Sequence, residues 1–209
     1  MQTYTFPGGL HHAIKILKRG GVVAFPTDTI YGLGANILSP QAVERVYKIK
    51  GRPSSMALPL LLSDVGELEQ VAAEVPEMAL TLARRFWPGG LTLILKASPQ
   101  IPRAVTGGGD TVAVRLPNHP VPLELVRGLG HPITGTSANP SGGPDPITSR
   151  DVERLLGDQV DCMINDTSPT QGKPSTIVDL TGITPRLLRQ GIVTLEEITE
   201  VCELAGVGA

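Results

Sequence analysis

Aromatic side chains make up only 3% of this 209-residue chain, too few for a platform on which nucleic-acid bases would stack. Charge of one sign is not in excess either. Eighteen Lys and Arg face 20 Asp and Glu, a formal net charge of −2, which argues against binding nucleic acid through overall charge. Cysteine is nearly missing: Cys162 and Cys202 are the two present. They lie far apart without a CxxC or Cys/His cluster, so structural zinc is not expected and no disulfide is required. No apolar run approaches the roughly 20 residues that span a bilayer. The start, Met1 to His12, has no basic region followed by an apolar stretch, and no secretory signal is expected. The usual phosphate signatures, GxxxxGK(S/T) and strand–GxGxxG–helix, are also missing. His11, His12, His119 and His131 have neither metal-ligand spacing nor a partnered nucleophile. The expectation is a cytoplasmic enzyme with no protein metal site, working through hydroxyls, amides and cations.

What is present is an ordinary 41% of hydrophobic residues, with 24 Gly and 19 Pro that punctuate apolar segments. Leu10, Ala13, Ile14 and Leu17 repeat at helical spacing, and Gly20-Gly21 supplies a stop. Residues 21–26 read as a short buried strand. Ser39-Pro40 is an N-cap with proline at the first helical position, followed by Val43, Val46 and Ile49 on one face. Pro76 opens a helix carrying Ala79, Leu82, Ala83 and Phe86. Strands are expected at 58–62, 91–95, 111–116, 159–164, 175–180 and 186–190. Thr148 with Asp151, and Thr194 with Glu197, start helices in capping-box fashion; the last carries Ile198, Val201, Cys202 and Ala205. Interleaved strands and helices predict an α/β or mixed α+β sheet covered by helices, in a single domain over residues 1–209.

Four clusters have the chemistry of a site. Residues 26–34, Pro-Thr-Asp-Thr-Ile-Tyr-Gly-Leu-Gly, combine two threonine hydroxyls, a carboxylate and permissive glycines after a strand; a capped turn explains them equally well. Lys48, Lys50 and Arg52 at a helix end would either complement its dipole or clamp an anion. On the strand 111–116, alternation places Thr111, Ala113 and Arg115 on one face. A guanidinium there needs a partner, either a structural carboxylate or a ligand's. Residues 133–143, Ile-Thr-Gly-Thr-Ser-Ala-Asn-Pro-Ser-Gly-Gly, follow an apolar strand and suit a phosphate nest or ordinary turns. Gly107-Gly108-Gly109 reads as a turn before a strand. As a set, the clusters point to an anionic ligand held across the carboxyl ends of strands.

The ordered series Pro26-Thr-Asp-Thr-Ile-Tyr-Gly-Leu33, Lys50-x-Arg52-Pro53, Val112-Ala-Val-Arg-Leu-Pro117, Ser137-x-Asn139 and Ser175-Thr-Ile-Val-Asp-Leu180 resembles the YrdC-like threonylcarbamoyl-AMP synthases, over nearly the whole chain. The resemblance implies a twisted sheet of parallel and antiparallel strands flanked by helices, with a concave basic cleft. It implies a nucleotidyltransferase that joins L-threonine, bicarbonate and ATP, with Mg²⁺ bridging the phosphates. A downstream tRNA-modifying threonylcarbamoyl transferase complex would use the product. By motif position Thr29, Arg115, Gly135 and Ser175 would hold threonine. Lys50, Arg52, Ser137 and Asn139 would carry catalysis, and Arg52, Met56, Thr111, Ser137, Asn139, Asp145 and Arg189 would surround the nucleotide. Met56 stands where many members carry Lys or Asn, and Leu61 where some have His. The chain ends at Ala209, so the further C-terminal domain of longer relatives is expected to be absent. Two rivals exist: an RNA-binding or ribosome-associated module with weak tRNA or double-stranded RNA affinity, and an adenylating enzyme acting on carbamoyl phosphate.

Overall fold

The computed structural model describes residues 1–166 and 170–204. In chain order the strands are β1 (Gln2–Thr5), β2 (Val22–Phe25), β3 (Gly32–Ala35), β4 (Leu60–Leu61), β5 (Leu91–Lys96), β6 (Thr111–Arg115), β7 (Ile133–Thr134), β8 (Thr136–Ser137), β9 (Cys162–Asn165), β10 (Thr176–Asp179) and β11 (Arg186–Arg189). The helices are α1 (Leu10–Lys18), α2 (Pro40–Lys50), α3 (Leu68–Val71), α4 (Glu77–Phe86), α5 (Arg103–Thr106), α6 (Pro120–Leu129), α7 (Ser149–Leu156) and α8 (Leu195–Leu204).

The expected single sheet is two sheets. One has five strands in the order β1-β9-β2-β3-β8, and the other six in the order β11-β10-β5-β6-β4-β7; each mixes parallel and antiparallel pairs. The segment 133–137 joins them: β7 pairs with β4 in the larger sheet, β8 pairs with β3 in the smaller, and Gly135 sits at the crossing. Side-chain size explains why that residue is glycine. A Cβ there would lie 2.2 Å from Leu61 Cγ, inside van der Waals contact.

Three helices start for a readable local reason. Ser39 accepts a hydrogen bond from the Ala42 N–H at the start of α2, with Pro40 in the first helical position. Thr148 and Asp151 complete a capping box on α7. Thr194 and Glu197 exchange the same reciprocal bonds ahead of α8. Such a cap contributes about 1 kcal/mol. Ala205 of the expected last helix lies outside the described residues.

The core explains the strand sequences. Val22, Ala24, Leu33, Leu91, Leu93, Leu95, Val112 and Val114 belong to one buried cluster that takes in both sheets, α2 and α4. Val23 and Phe25 point the other way, against Ala13 and Leu17 of α1 and Val121, Leu125 and Val126 of α6. With both faces covered, β2 is apolar at every position. Its partner β3 is glycine-rich because the Phe25 ring lies on it: a Cβ on Gly32 or Gly34 would come within 2.8 or 2.6 Å of that ring. Thus 32–35, read as the end of a loop, is a strand. The expected strand at 58–62 is paired only at Leu60–Leu61.

Candidate active site

One cavity of about 500 Å³ opens at a shared edge of the two sheets. The edge is not made of carboxyl ends alone. Because β6 runs antiparallel to β5, and β5 parallel to β10, the C-terminal end of β6 meets the N-terminal ends of β5 and β10. Arg115 ends β6, Thr92 is the second residue of β5, and Ser175 precedes β10; all three line the cavity. The turn after β2 supplies Thr27 and Thr29, and the sheet-crossing segment supplies Gly135, Thr136 and Ser137.

Arg115 is buried and already partnered. Its Nη2 lies 2.6 Å from Asp28 Oδ1, Nη1 donates to Thr29 Oγ1 at 2.8 Å, and Nε donates to the Gly89 carbonyl at 2.9 Å. The structural carboxylate among the alternatives for this guanidinium is therefore Asp28, 87 residues away in sequence. Among the described residues these bonds use three of the guanidinium's five N–H groups, so one on each terminal nitrogen has no partner. Burial pulls the Arg115 pKa down, against the pull of Asp28. Asp28 also accepts from the Asn118 N–H at 3.1 Å, which ties the turn to the chain beyond β6.

Lys50 turns inward from the last turn of α2 and is only 3% exposed. Its ammonium donates to the carbonyls of Ser137 and Asn139, both at 2.7 Å, and to Asn139 Oδ1 at 3.1 Å. Burial, and then the Arg52 charge, push its pKa down to about 8, with Asp145 acting in the opposite direction. Ser137 Oγ donates to Asn139 Oδ1 at 2.7 Å, and Asn139 Nδ2 reaches the carbonyls of Gly143 and Pro144 at 2.9 and 3.0 Å. Lys50 and Asn139 thus hold the 137–144 loop in shape. The segment expected to follow an apolar strand follows α6 instead and contains β7 and β8. Within it the N–H groups of Ser141 and Gly143 are taken by Lys50 and Pro140 carbonyls, leaving fewer donors for an anion than a phosphate nest has.

Arg52 is different. Its Nη2 donates to the Ala57 carbonyl at 2.7 Å, while its Nε is buried without a hydrogen-bond partner among the described residues. A buried donor left unmade costs about 1–3 kcal/mol. Arg189 donates Nε and Nη2 to the Ser175 carbonyl at 3.1 and 2.8 Å, with Ser175 Oγ at 3.3 Å. Asp145, exposed at the rim, lines the cavity with these cations. Met56 also lines it and is 50% exposed, so it is not a core residue. Leu61 forms part of the wall.

Not every expected residue comes together. Thr111 is four positions from Arg115 along β6, about 13 Å at the usual rise per residue. It faces Lys96 across the ladder and is not in the cavity wall. Lys48 pairs with Glu44 on the outer face of α2. Two contributors were not singled out in the sequence: Asp28, whose carboxylate stood inside a recognised cluster, and Thr92, which nothing in a leucine-rich strand distinguishes. Among the described residues no group of three or more His, Cys, Asp or Glu is arranged to hold a metal ion. No described helix is long and apolar enough to cross a membrane. Both cysteines are free and buried.

The chain is similar in sequence and fold to known proteins. The Sua5/YciO/YrdC family model, described as telomere recombination, matches residues 15–191. A threonylcarbamoyl-AMP synthase of Pyrococcus abyssi is 45% identical over 90% of this chain and 56% of its own length. The Bacillus subtilis protein of the same name is 43% identical over 90% and 55%. The crystal structure of P. abyssi Sua5 complexed with L-threonine superposes with a TM-score of 0.90, at 42% identity over 96% of this chain and 60% of that one. The chain therefore spans little more than half the length of these relatives.

Proposed function

The chain belongs to the Sua5/YciO/YrdC family, and on that premise we propose that it is a threonylcarbamoyl-AMP synthase. The reaction joins L-threonine, bicarbonate and ATP into threonylcarbamoyl-AMP and pyrophosphate, for threonylcarbamoylation of tRNA by a separate transferase complex. The observation that carries this reading is that two separately bonded polar networks face one cavity. Around Thr29, Arg115, Gly135 and Ser175 the wall suits a small amino acid, and a relative's structure holds L-threonine. Around Lys50, Arg52, Ser137 and Asp145 it suits phosphates, because two cations and a hydroxyl line that part of the wall. Four cations, Lys50, Arg52, Arg115 and Arg189, line the cavity, which would make it a basic cleft.

The chemistry requires alignment and charge neutralisation more than a protein nucleophile. The ammonium of threonine first gives up a proton, and the neutral amine then combines with bicarbonate to give the carbamate with loss of water. A carbamate oxygen then attacks the α-phosphorus of ATP. The bond from that phosphorus to the bridging oxygen breaks, and the electron pair leaves with pyrophosphate. Arg115 would fix the amino acid through its two free N–H groups, and planar bidentate geometry makes that contact directional. Arg52 would meet the charge that develops on the departing phosphates, where a preorganised donor is worth most. Lys50 would act mainly through the loop, keeping Ser137 aimed at the nucleotide.

The donor set fits Mg²⁺ arriving with ATP. Asp145, the carboxylate in the cavity wall, would hold it with the Ser137 and Ser141 hydroxyls and the substrate phosphates, since this ion usually takes one or two carboxylates and retains waters. When bound it would supply charge neutralisation on the phosphates. The test is pyrophosphate release from ATP: it should require both L-threonine and bicarbonate, and release indifferent to threonine would overturn the reading.

A further inference from the structure

Thr92 has no assigned role, yet it is a buried hydroxyl in the cavity wall, 4% exposed. One face of β5 is core leucine: Leu91, Leu93 and Leu95 are each fully buried in the cluster shared by both sheets. Alternation turns Thr92 to the opposite face, beside Ile177 of β10, with which it is in register and which also lines the cavity. A valine would satisfy the strand as well. The hydroxyl therefore needs another explanation, and its contact supplies one: Thr92 Oγ1 lies 2.8 Å from Ser175 Oγ.

Ser175 Oγ is also 3.3 Å from Arg189 Nη2. A guanidinium N–H can only donate, so Ser175 accepts there. A serine hydroxyl has two acceptor sites and one proton. If Thr92 also donates to it, both acceptor sites are filled, and the Ser175 proton is left to point into the cavity. If the Thr92–Ser175 bond ran the other way, that proton would be turned into the wall and the cavity would lose a donor. We propose that Thr92 is a positioning residue that donates to Ser175 and thereby fixes Ser175 as a hydrogen-bond donor to an oxygen of the amino-acid substrate. The acceptor is a carboxylate or a side-chain hydroxyl oxygen. This inference rests on the threonine-dependent reading of the site given above.

The experiment compares Thr92→Val, which keeps the shape and removes the hydroxyl, with Thr92→Ser, which keeps the hydroxyl. Pyrophosphate release is measured against L-threonine and against ATP. Loss of one neutral hydrogen bond predicts a roughly 2- to 13-fold rise in the threonine KM of Thr92→Val. The ATP KM should stay within about twofold, and Thr92→Ser should restore the threonine KM. L-2-Aminobutyrate, which lacks the hydroxyl, separates the two acceptors. If Ser175 reads the side-chain hydroxyl, Thr92→Val narrows the preference for threonine over 2-aminobutyrate; if it reads the carboxylate, both amino acids weaken equally. A threonine KM unchanged in Thr92→Val overturns the proposal. So does an equal loss toward threonine and ATP, or a Thr92→Ser variant as poor as Thr92→Val, because either would mark a purely structural role. Failure of the underlying reading is distinct: the unmodified protein itself would release no threonine-dependent pyrophosphate.

Discussion

Replacing Asp28 by Asn isolates the electrostatic contribution of the buried pair that anchors Arg115. The side chains are 8% and 6% exposed, and Oδ1 of Asp28 accepts from both Arg115 and the Asn118 N–H. An asparagine amide oxygen keeps both acceptors at that position and removes only the charge. Two opposite charges about 4 Å apart are worth ~4 kcal/mol at an effective dielectric near 20. Removing one partner of a buried pair typically costs about 3–5 kcal/mol, most of it from the charge left alone. Because the amide retains its hydrogen bonds, the loss for Asp28→Asn should fall near the lower end, about 2–4 kcal/mol. For a chain of this size each kcal/mol lowers Tm by roughly 2–4 °C, so the ligand-free variant should melt about 10 °C lower. Urea unfolding and calorimetry both read this directly. The same variant tests what Arg115 faces. With its internal counter-charge gone, the guanidinium should welcome a ligand carboxylate, and L-threonine should raise the Tm of Asp28→Asn more than that of the unaltered protein. A stability loss under about 1 kcal/mol would refute the paired-charge argument. A threonine-induced rise no larger than in the unaltered protein would show that Arg115 does not meet the carboxylate.

Arg52→Ala should cut turnover by on the order of 10²-fold or more through loss of a transition-state charge partner. Its fold, followed by circular dichroism and Tm, should survive; near-normal turnover in the folded variant would remove Arg52 from the nucleotide site. The Lys50 ammonium donates three hydrogen bonds to the 137–139 segment, and a neutral amine has only two N–H groups to give. With its pKa lowered to about 8, ATP affinity in titration calorimetry should fall as pH rises through that region. Binding should take up a proton above it, because nucleotide phosphates favour the charged form; a flat profile from pH 7 to about 9 would contradict this. Met56→Lys places an ammonium on the cavity wall and should tighten ATP binding, since a hydrogen bond to a charged group is worth roughly 1.5–3 kcal/mol; unchanged or weaker binding counts against a nucleotide contact there.

What could be read from the sequence was local. Both capping boxes, the Ser39-Pro40 start and the Gly107 turn are decided by neighbours within a few residues, and the structure has each in place. The helix α6 was missed because Pro120 and Pro122 look like breakers, yet both fall in its first turn, where no intrahelical donor is needed. The strand β3 was hidden by its glycines, whose reason is the Phe25 ring on the neighbouring strand. Arg115 was recognisable as a cation in need of a partner, but not as the partner of Asp28, because that contact is made only when the turn after β2 meets the end of β6. Lys50 raised the same difficulty: a lysine in a last helical turn reads as a dipole complement until packing turns it inward.

The most direct measurement follows carbon from bicarbonate into a nucleotide product. The protein would be incubated with ATP, Mg²⁺, L-threonine and carbon-13-labelled bicarbonate, and the nucleotides analysed by mass spectrometry. An AMP conjugate with the mass of threonylcarbamoyl-AMP that carries the labelled carbon should form together with pyrophosphate and be lost when threonine is omitted. An adenylate of threonine without the labelled carbon, or ATP left intact by a folded protein in the presence of all substrates, would contradict the proposed reaction.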